Sequence, residues 1–372
     1  MKRLSRRSLG AALAIALAGL AIALLWVTAT TPGARWLLTT LSPLGGVNFS
    51  AQKVEGKVIG HLLLNEVRID LGQQQVEAGT LELRWRPLRL LGGAVALQEL
   101  TLQGVRVQDD APPGDQPPRL AWPRVSGKAG LPTVRIAKLL VNDLSYRRRE
   151  EPPLQLTSLA ASATWEDGLL TITELKAVAP AAQISGAISA GFRKPSLTAD
   201  LTLALAQPVA EMDRFSLQAR PGDTPGPEPF IGTVMLTGNG GNRRLLELGG
   251  ELGMAANAIN LRHLKLTRPG RKGYLTGEGS LTFTARESVL SLQIKATNLD
   301  LAPELPVATD LSGTLTFAGT LDNYRGDFTL INHSKGWQAA VVSATYQGSG
   351  AGLKLAPVKA AILDGSVTGN LD

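Results

Sequence analysis

The strongest constraint on this chain is an aliphatic pattern of period two that breaks step once and then resumes. Leu62 and Leu64 are followed by Val67, Ile69 and Leu71, with position 66 skipped. The same step recurs at Leu100, Leu102, Val105, Val107 and at Leu139, Val141, Leu144, Tyr146. A weaker form runs Leu170, Ile172, Leu175, Ala177, and a further copy, Val76, Ala78, Leu81, Leu83, lies between the first two. Successive side chains of a strand point to opposite faces, so each copy reads as a half-buried strand. The skipped pairs are Asn65-Glu66, Gln103-Gly104, Asn142-Asp143, Thr173-Glu174 and Gly79-Thr80, all polar or glycine. A bulge at each pair would keep both halves apolar on one face and bend the strand. A tight turn between two very short strands is the alternative. Halves of about three residues are short even for strands, which favours the bulge. Repeated bulges curl a sheet into a trough.

Similar runs continue to the C-terminus, mostly bounded by Gly or Pro, and predict about 20–25 strands of ordinary length. Pro-rich loops near residues 109–124 and 220–229 interrupt them. Only Val209–Leu217 hints at a helix within this region. The chain has no cysteine, so a body of this kind must hold together without disulfides. Regular spacing and the lack of a long helix argue for an array in which each hairpin leans on its neighbour. The expected class is all-β: an elongated, curled, repeat-like sheet forming an open trough. Two curled layers facing each other as a sandwich would satisfy the same pattern.

Ahead of the strands lies a run without charge between Arg7 and Arg35, preceded by Lys2, Arg3, Arg6 and Arg7. It is long enough for a membrane-spanning helix over residues 9–31, with the N-terminus cytoplasmic and the body exported. A cleaved signal peptide is the alternative, although its apolar region would exceed the usual ~7–15 residues. Residues 32–50 then read as a short juxtamembrane amphipathic helix and linker. Trp26, Trp36, Leu37 and Leu38 are the candidate membrane-interface residues. The expected organisation is 1–31 tail and anchor, 32–50 linker, and 51–372 β-groove, with the strand pattern cut short at the C-terminus.

Few residues suggest chemistry. Net charge is +7, but four positives lie in the N-terminal tail, leaving too little clustered charge for nucleic acid. His61, His263 and His333 have no second ligand at metal spacing, and no nucleophile elbow or phosphate loop is present. Glu66, Glu82 and Glu99 alternate with apolar residues, as a solvated face requires. Arg147-Arg148-Arg149 is a charge run that reads as solvated or as touching lipid phosphates. The expectation is therefore no catalytic residue, no metal, no cofactor and no enzyme. What remains is the aliphatic face: Leu62, Leu64, Val67, Ile69, Leu81, Leu83, Leu100, Leu102, Val105, Val107, Leu139, Val141 and Leu144. An exposed surface of that extent calls for something to bind there, and acyl chains fit it.

Several motifs in order carry a family resemblance. After the apolar run come Thr31-Pro32-Gly33-Ala34-Arg35-Trp36-Leu37-Leu38 and Gly60-His61-Leu62-Leu63-Leu64-Asn65-Glu66-Val67-Arg68-Ile69. Leu81-Glu82-Leu83-Arg84-Trp85-Arg86-Pro87, Leu90-Leu91-Gly92-Gly93 and Leu100-Thr101-Leu102-Gln103-Gly104-Val105-Arg106-Val107 complete the series. This order resembles the N-terminal part of the TamB family, within the AsmA-like group. The resemblance implies a single-pass protein of a Gram-negative inner membrane with a periplasmic β-groove that passes phospholipids toward the outer membrane. It also implies a part in assembling outer-membrane β-barrel proteins or autotransporters beside an Omp85-type partner. The chain departs from the family in stopping within the strand pattern, before the region that would engage such a partner.

Overall fold

The computed structural model describes residues 48–110, 122, 133–149, 151–222, 230–284, 287–300, 309–320, 322–334, 340–349, 352–362 and 365–371. The expected anchor, the juxtamembrane helix, and Trp26, Trp36, Leu37 and Leu38 lie outside these residues. No helix among the described residues is long and apolar enough to cross a membrane. The chain divides into two units, residues 1–111 with 128–183 and residues 112–127 with 184–372.

The first unit contains β1 (Asn48–Gly56), β2 (His61–Asp70), β3 (Gln74–Trp85), β4 (Ala94–Asp109), β5 (Thr133–Arg148), β6 (Leu154–Glu166) and β7 (Leu169–Val178). One 3-10 turn, Pro87–Gly92, joins β3 to β4. Each strand pairs antiparallel with the next in sequence, except that β4 and β5 run parallel. A parallel pair needs a long connection to bring the chain back, and residues 110–132, with their prolines, supply it. β8 (Ala182–Gly191) straddles the division between the units.

The second unit is an antiparallel meander. It runs through β9 (Ser196–Val209), β10 (Met212–Pro221), β11 (Phe230–Gly240), β12 (Arg243–Met254), β13 (Ala258–Thr267) and β14 (Tyr274–Phe283). It continues through β15 (Ser288–Leu299), β16 (Leu311–Gly319), β17 (Asn323–Asn332), β18 (Ala340–Ser349), β19 (Gly352–Ile362) and β20 (Gly365–Leu371). The helical hint at Val209–Leu217 is overturned. Ala210 and Glu211 take positive φ (49° and 66°) and form a two-residue hairpin turn between β9 and β10. Pairing on both sides of β10 outweighs a weak local periodicity. Trp122 belongs to this unit: its indole N–H donates to the Gly191 carbonyl at 2.6 Å, and its ring stacks on Phe192.

Neither ladder closes, since no pairing among the described residues joins β1 to β7 or β9 to β20. The burial pattern decides between trough and sandwich. No side chain among the described residues falls below 2% exposure. Facing sheets pack about 10 Å apart and would seal the inner rows completely. The fold is therefore an open, curled β-sheet, and the sandwich alternative is set aside.

The break in step has a different origin from the one expected in most copies. Glu66, Gly104 and Asp143 adopt left-handed backbone (φ 49°, 63° and 55°), yet the register on either side of each is unshifted. No extra residue is inserted. The step falls at the same level in every strand from β1 to β6, along a transverse row through Gln52, Glu66, Gly79, Gly104, Asp143 and Thr157. When neighbours change step together, hydrogen bonding resumes in register beyond the row. Gln52, Gly79 and Thr157 take part without positive φ. In the weaker copy the bulge is real: Glu174 (φ 54°) lies where β7 carries one residue more than β6. His263 and Asn298 mark matching bulges in β13 and β15.

Candidate functional site

Register converts the alternation of single strands into rows that cross the sheet. In the first unit one row reads Val54, Leu64, Leu81, Leu102, Val141, Leu159, Ala177, one residue from each of β1 to β7. The row beside it reads Leu62, Leu83, Leu100, Leu139, Ala161. Beyond the kink row, Ala51, Val67, Ala78, Val105, Leu144 and Leu156 form a third. Twelve of the thirteen predicted face residues belong to one hydrophobic cluster, and Leu100 lies half-buried between Leu83 and Leu139. Leu62, Leu64, Val67, Val105 and Val141 are buried, while Ile69, Leu81, Leu83, Leu102, Val107, Leu139 and Leu144 remain half-buried. The offset of 39 between the second and third copies of the pattern is the parallel register itself, pairing Leu100 with Leu139 and Leu102 with Val141.

The second unit carries a longer row that inspection of single strands did not find. Leu201, Leu217, Leu236, Leu248, Leu266, Leu275, Ala296, Gly313, Leu330, Val342, Ala360 and Val367 are register partners in turn, from β9 to β20. Most of these side chains are half-buried. A neighbouring row through Leu264, Gly277, Ile294 and Leu315 borders a concavity of about 660 Å³, flanked by Lys265 and Lys295. Gly277 lines it, and a side chain there would meet the Gln293 carbonyl at 2.6 Å. The concavity lies within the size range of small-molecule sites and is apolar at its floor.

Polar groups lie along the opposite face and the strand ends. Glu82 accepts from His61 and Arg84, while Glu99 takes Lys138 at 2.9 Å and lies 3.7 Å from Arg84. The Lys138 hydrogen bond, against a smaller opposing effect of burial, holds the Glu99 carboxyl below its ordinary range. His263 lies 3.3 Å from Glu251. Burial raises the Tyr146 phenol, helped by its hydrogen bond to Asp109 at 3.1 Å. Burial likewise raises Tyr346, which donates to the Thr316 carbonyl at 2.6 Å. Asn332 is buried, with its side-chain oxygen accepting from the Asp310 and Ser334 amides.

Residues 20–204 match the family model for the N-terminal domain of TamB. The chain carries a TamB N-terminal domain. The match takes in β1 to β8 and the greater part of β9, and so contains the kink row and all thirteen predicted face residues. The TamB domain ends inside β9, whereas the apolar row of the second unit continues for eleven more strands. Comparisons with curated proteins and with solved structures returned no match.

Proposed function

We propose that each apolar face is a non-catalytic binding surface for phospholipid acyl chains, and that the protein acts as an anchored lipid-transfer conduit of the TamB type. In this reading residues 9–31 hold the chain in the inner membrane of a Gram-negative envelope, with the sheet in the periplasm. The observation that carries it is the apolar row that crosses β1 to β7 in the first unit and β9 to β20 in the second, largely half-buried and without a covering layer among the described residues. Acyl chains need no directional partners and gain about 0.8 kcal/mol per buried methylene. A row running across strands gives them a continuous track with no polar step. The transverse kink lies to one side of the main row and does not cut it.

A second reading is an assembly factor for outer-membrane β-barrel proteins acting beside an Omp85-type partner. It is favoured by β1, whose sole strand partner among the described residues is β2, leaving an edge for strand addition.

Photocrosslinking in cells separates the two. A photoreactive residue at Leu102 of the full chain should yield phospholipid adducts, and one at Thr101, on the opposite face, should not. Leu64→Glu, adjoining Leu81 in the same row, should suppress the Leu102 adducts. Adducts of equal yield at both positions, or nascent barrel proteins captured at β1 with no lipid at Leu102, would defeat the conduit reading.

A further inference from the structure

One strand-end rim of the first unit is built differently from the other. Past Trp85 the chain makes the 3-10 turn Pro87–Gly92, closed by Gly93 in left-handed conformation (φ 72°), whose N–H donates to the Leu90 carbonyl at 2.9 Å. The turn holds Leu88 and Leu90 out at 79% and 47% exposure, and Leu88 is the most exposed large hydrophobic side chain among the described residues. Beside it is a cleft of about 550 Å³ whose lining includes Arg86, Arg89 and Arg135 and no carboxylate. Arg86 pairs through its backbone N–H with the Ala96 carbonyl, and Ala96 is the register partner of Arg135. A methyl group thus separates two guanidinium-bearing positions and leaves room between them.

Arg84 and Lys138, close by, have ion pairs with Glu82 and Glu99. Arg86 instead donates from Nε and Nη2 to the Gln98 amide oxygen, each at 3.0 Å. Among the described residues, none of Arg86, Arg89 and Arg135 has a carboxylate partner. At the opposite rim, Leu71 at the β2–β3 turn is 47% exposed beside Asp70, and the charges further along are of both signs: Asp109 ends β4 and Asp110 follows it, while Arg148, the register partner of Asp109, ends β5 between Arg147 and Arg149.

We propose that the Pro87–Gly92 rim docks on an anionic phospholipid bilayer, with Leu88 and Leu90 entering the interface and Arg86, Arg89 and Arg135 receiving lipid phosphates. The charge complementarity rests on three guanidiniums without a carboxylate partner beside exposed leucines here, whereas acidic and basic side chains adjoin one another at the other rim. Guanidinium suits phosphate through its fork of donors. The inference does not depend on what the apolar rows carry, and holds for a conduit or an assembly factor alike.

The test uses the full chain reconstituted in nanodiscs of phosphatidylcholine alone or mixed with phosphatidylglycerol, carrying a photoreactive residue at Leu88 or, as the internal control, at Leu71. Lipid adducts at Leu88 should rise by at least about fivefold in the anionic discs, the factor that ~1 kcal/mol per basic side chain near an anionic surface implies. Leu71 should remain low in both. Arg86→Glu with Arg89→Glu and Arg135→Glu should bring Leu88 down to the Leu71 level. Arg89→Glu alone, on an exposed turn where folding is not at risk, should remove about a fivefold share. Equal yields at Leu88 and Leu71, yields indifferent to phosphatidylglycerol, or protein adducts in place of lipid at Leu88 would overturn the proposal.

Discussion

Replacing Glu66 with glycine should stabilise the protein, and replacing it with valine should destabilise it. Glu66 sits mid-strand in β2 at φ 49°, with its side chain exposed, so neither change removes core packing. Left-handed backbone costs an ordinary L-residue about 1–2 kcal/mol, because Cβ crowds the following carbonyl. Glycine removes that cost but gives back about 0.5–1 kcal/mol through the freedom of the unfolded chain. The net gain is about 0.5–1 kcal/mol. Valine makes the same backbone harder to reach and should cost about 1–3 kcal/mol. In a regular strand both signs reverse, since valine favours and glycine weakens extended structure by up to about 1 kcal/mol. The direction alone therefore decides. Thermal unfolding of the full chain, followed by circular dichroism, should show about 2–4 °C per kcal/mol for a cooperative unit of this size. Asp143→Gly should behave like Glu66→Gly, and Gly104→Ala should move the midpoint down. A neutral or stabilising Glu66→Val would refute the left-handed step at Glu66.

Two further outcomes are expected. Gly326 and Tyr346 are register partners, as are Gly348 and Tyr324, so each ring lies over the glycine opposite. Gly326→Ala should cost about 1–3 kcal/mol by overpacking, and more than Gly348→Ala, because its new methyl meets the Thr316 backbone oxygen as well as a ring; denaturant midpoints at constant slope would show it. Because the folded-state pKa of Glu99 lies below its ordinary value, chiefly through the Lys138 hydrogen bond, its contribution is present at neutral pH. That contribution is lost as pH falls from the ordinary carboxylate range through the lowered value. Lys138→Ala should therefore lower the melting midpoint at neutral pH, and the gap to the parent should close on acidification; a gap that persists in acid would contradict the assignment.

The strands and their apolar faces could be read from residue types because alternation is local: Leu62, Leu64, Val67 and Ile69 declare their common face within one short run. The kink level was visible as a polar pair, but its nature was not. An inserted residue and an aligned left-handed step leave the same trace in one strand and differ only in the neighbour's register. The long row of the second unit escaped notice for a related reason. Antiparallel partners such as Leu248 and Leu266 sit at a constant sum of residue numbers, so no fixed repeat distance exposes them. Only the parallel pair β4–β5 turned register into a simple offset, and that offset was the one the sequence pattern displayed. The Arg86–Arg135 cleft was hidden altogether, since its members are brought together by a crossover spanning residues 110–132.

The constant level of the kink and rows has a consequence for how such a molecule can change length. Deleting one residue inside a strand moves every later side chain of that strand to the wrong face and breaks each row it serves. Adding or removing an entire hairpin leaves the remaining partners in register and the aliphatic lane intact. Length is thus free to vary in steps of two strands, about 10 Å at the usual inter-strand spacing, while composition along the lane is held fixed. A chain built this way can be lengthened or shortened in such steps by copying or dropping a module, with no redesign of its apolar face.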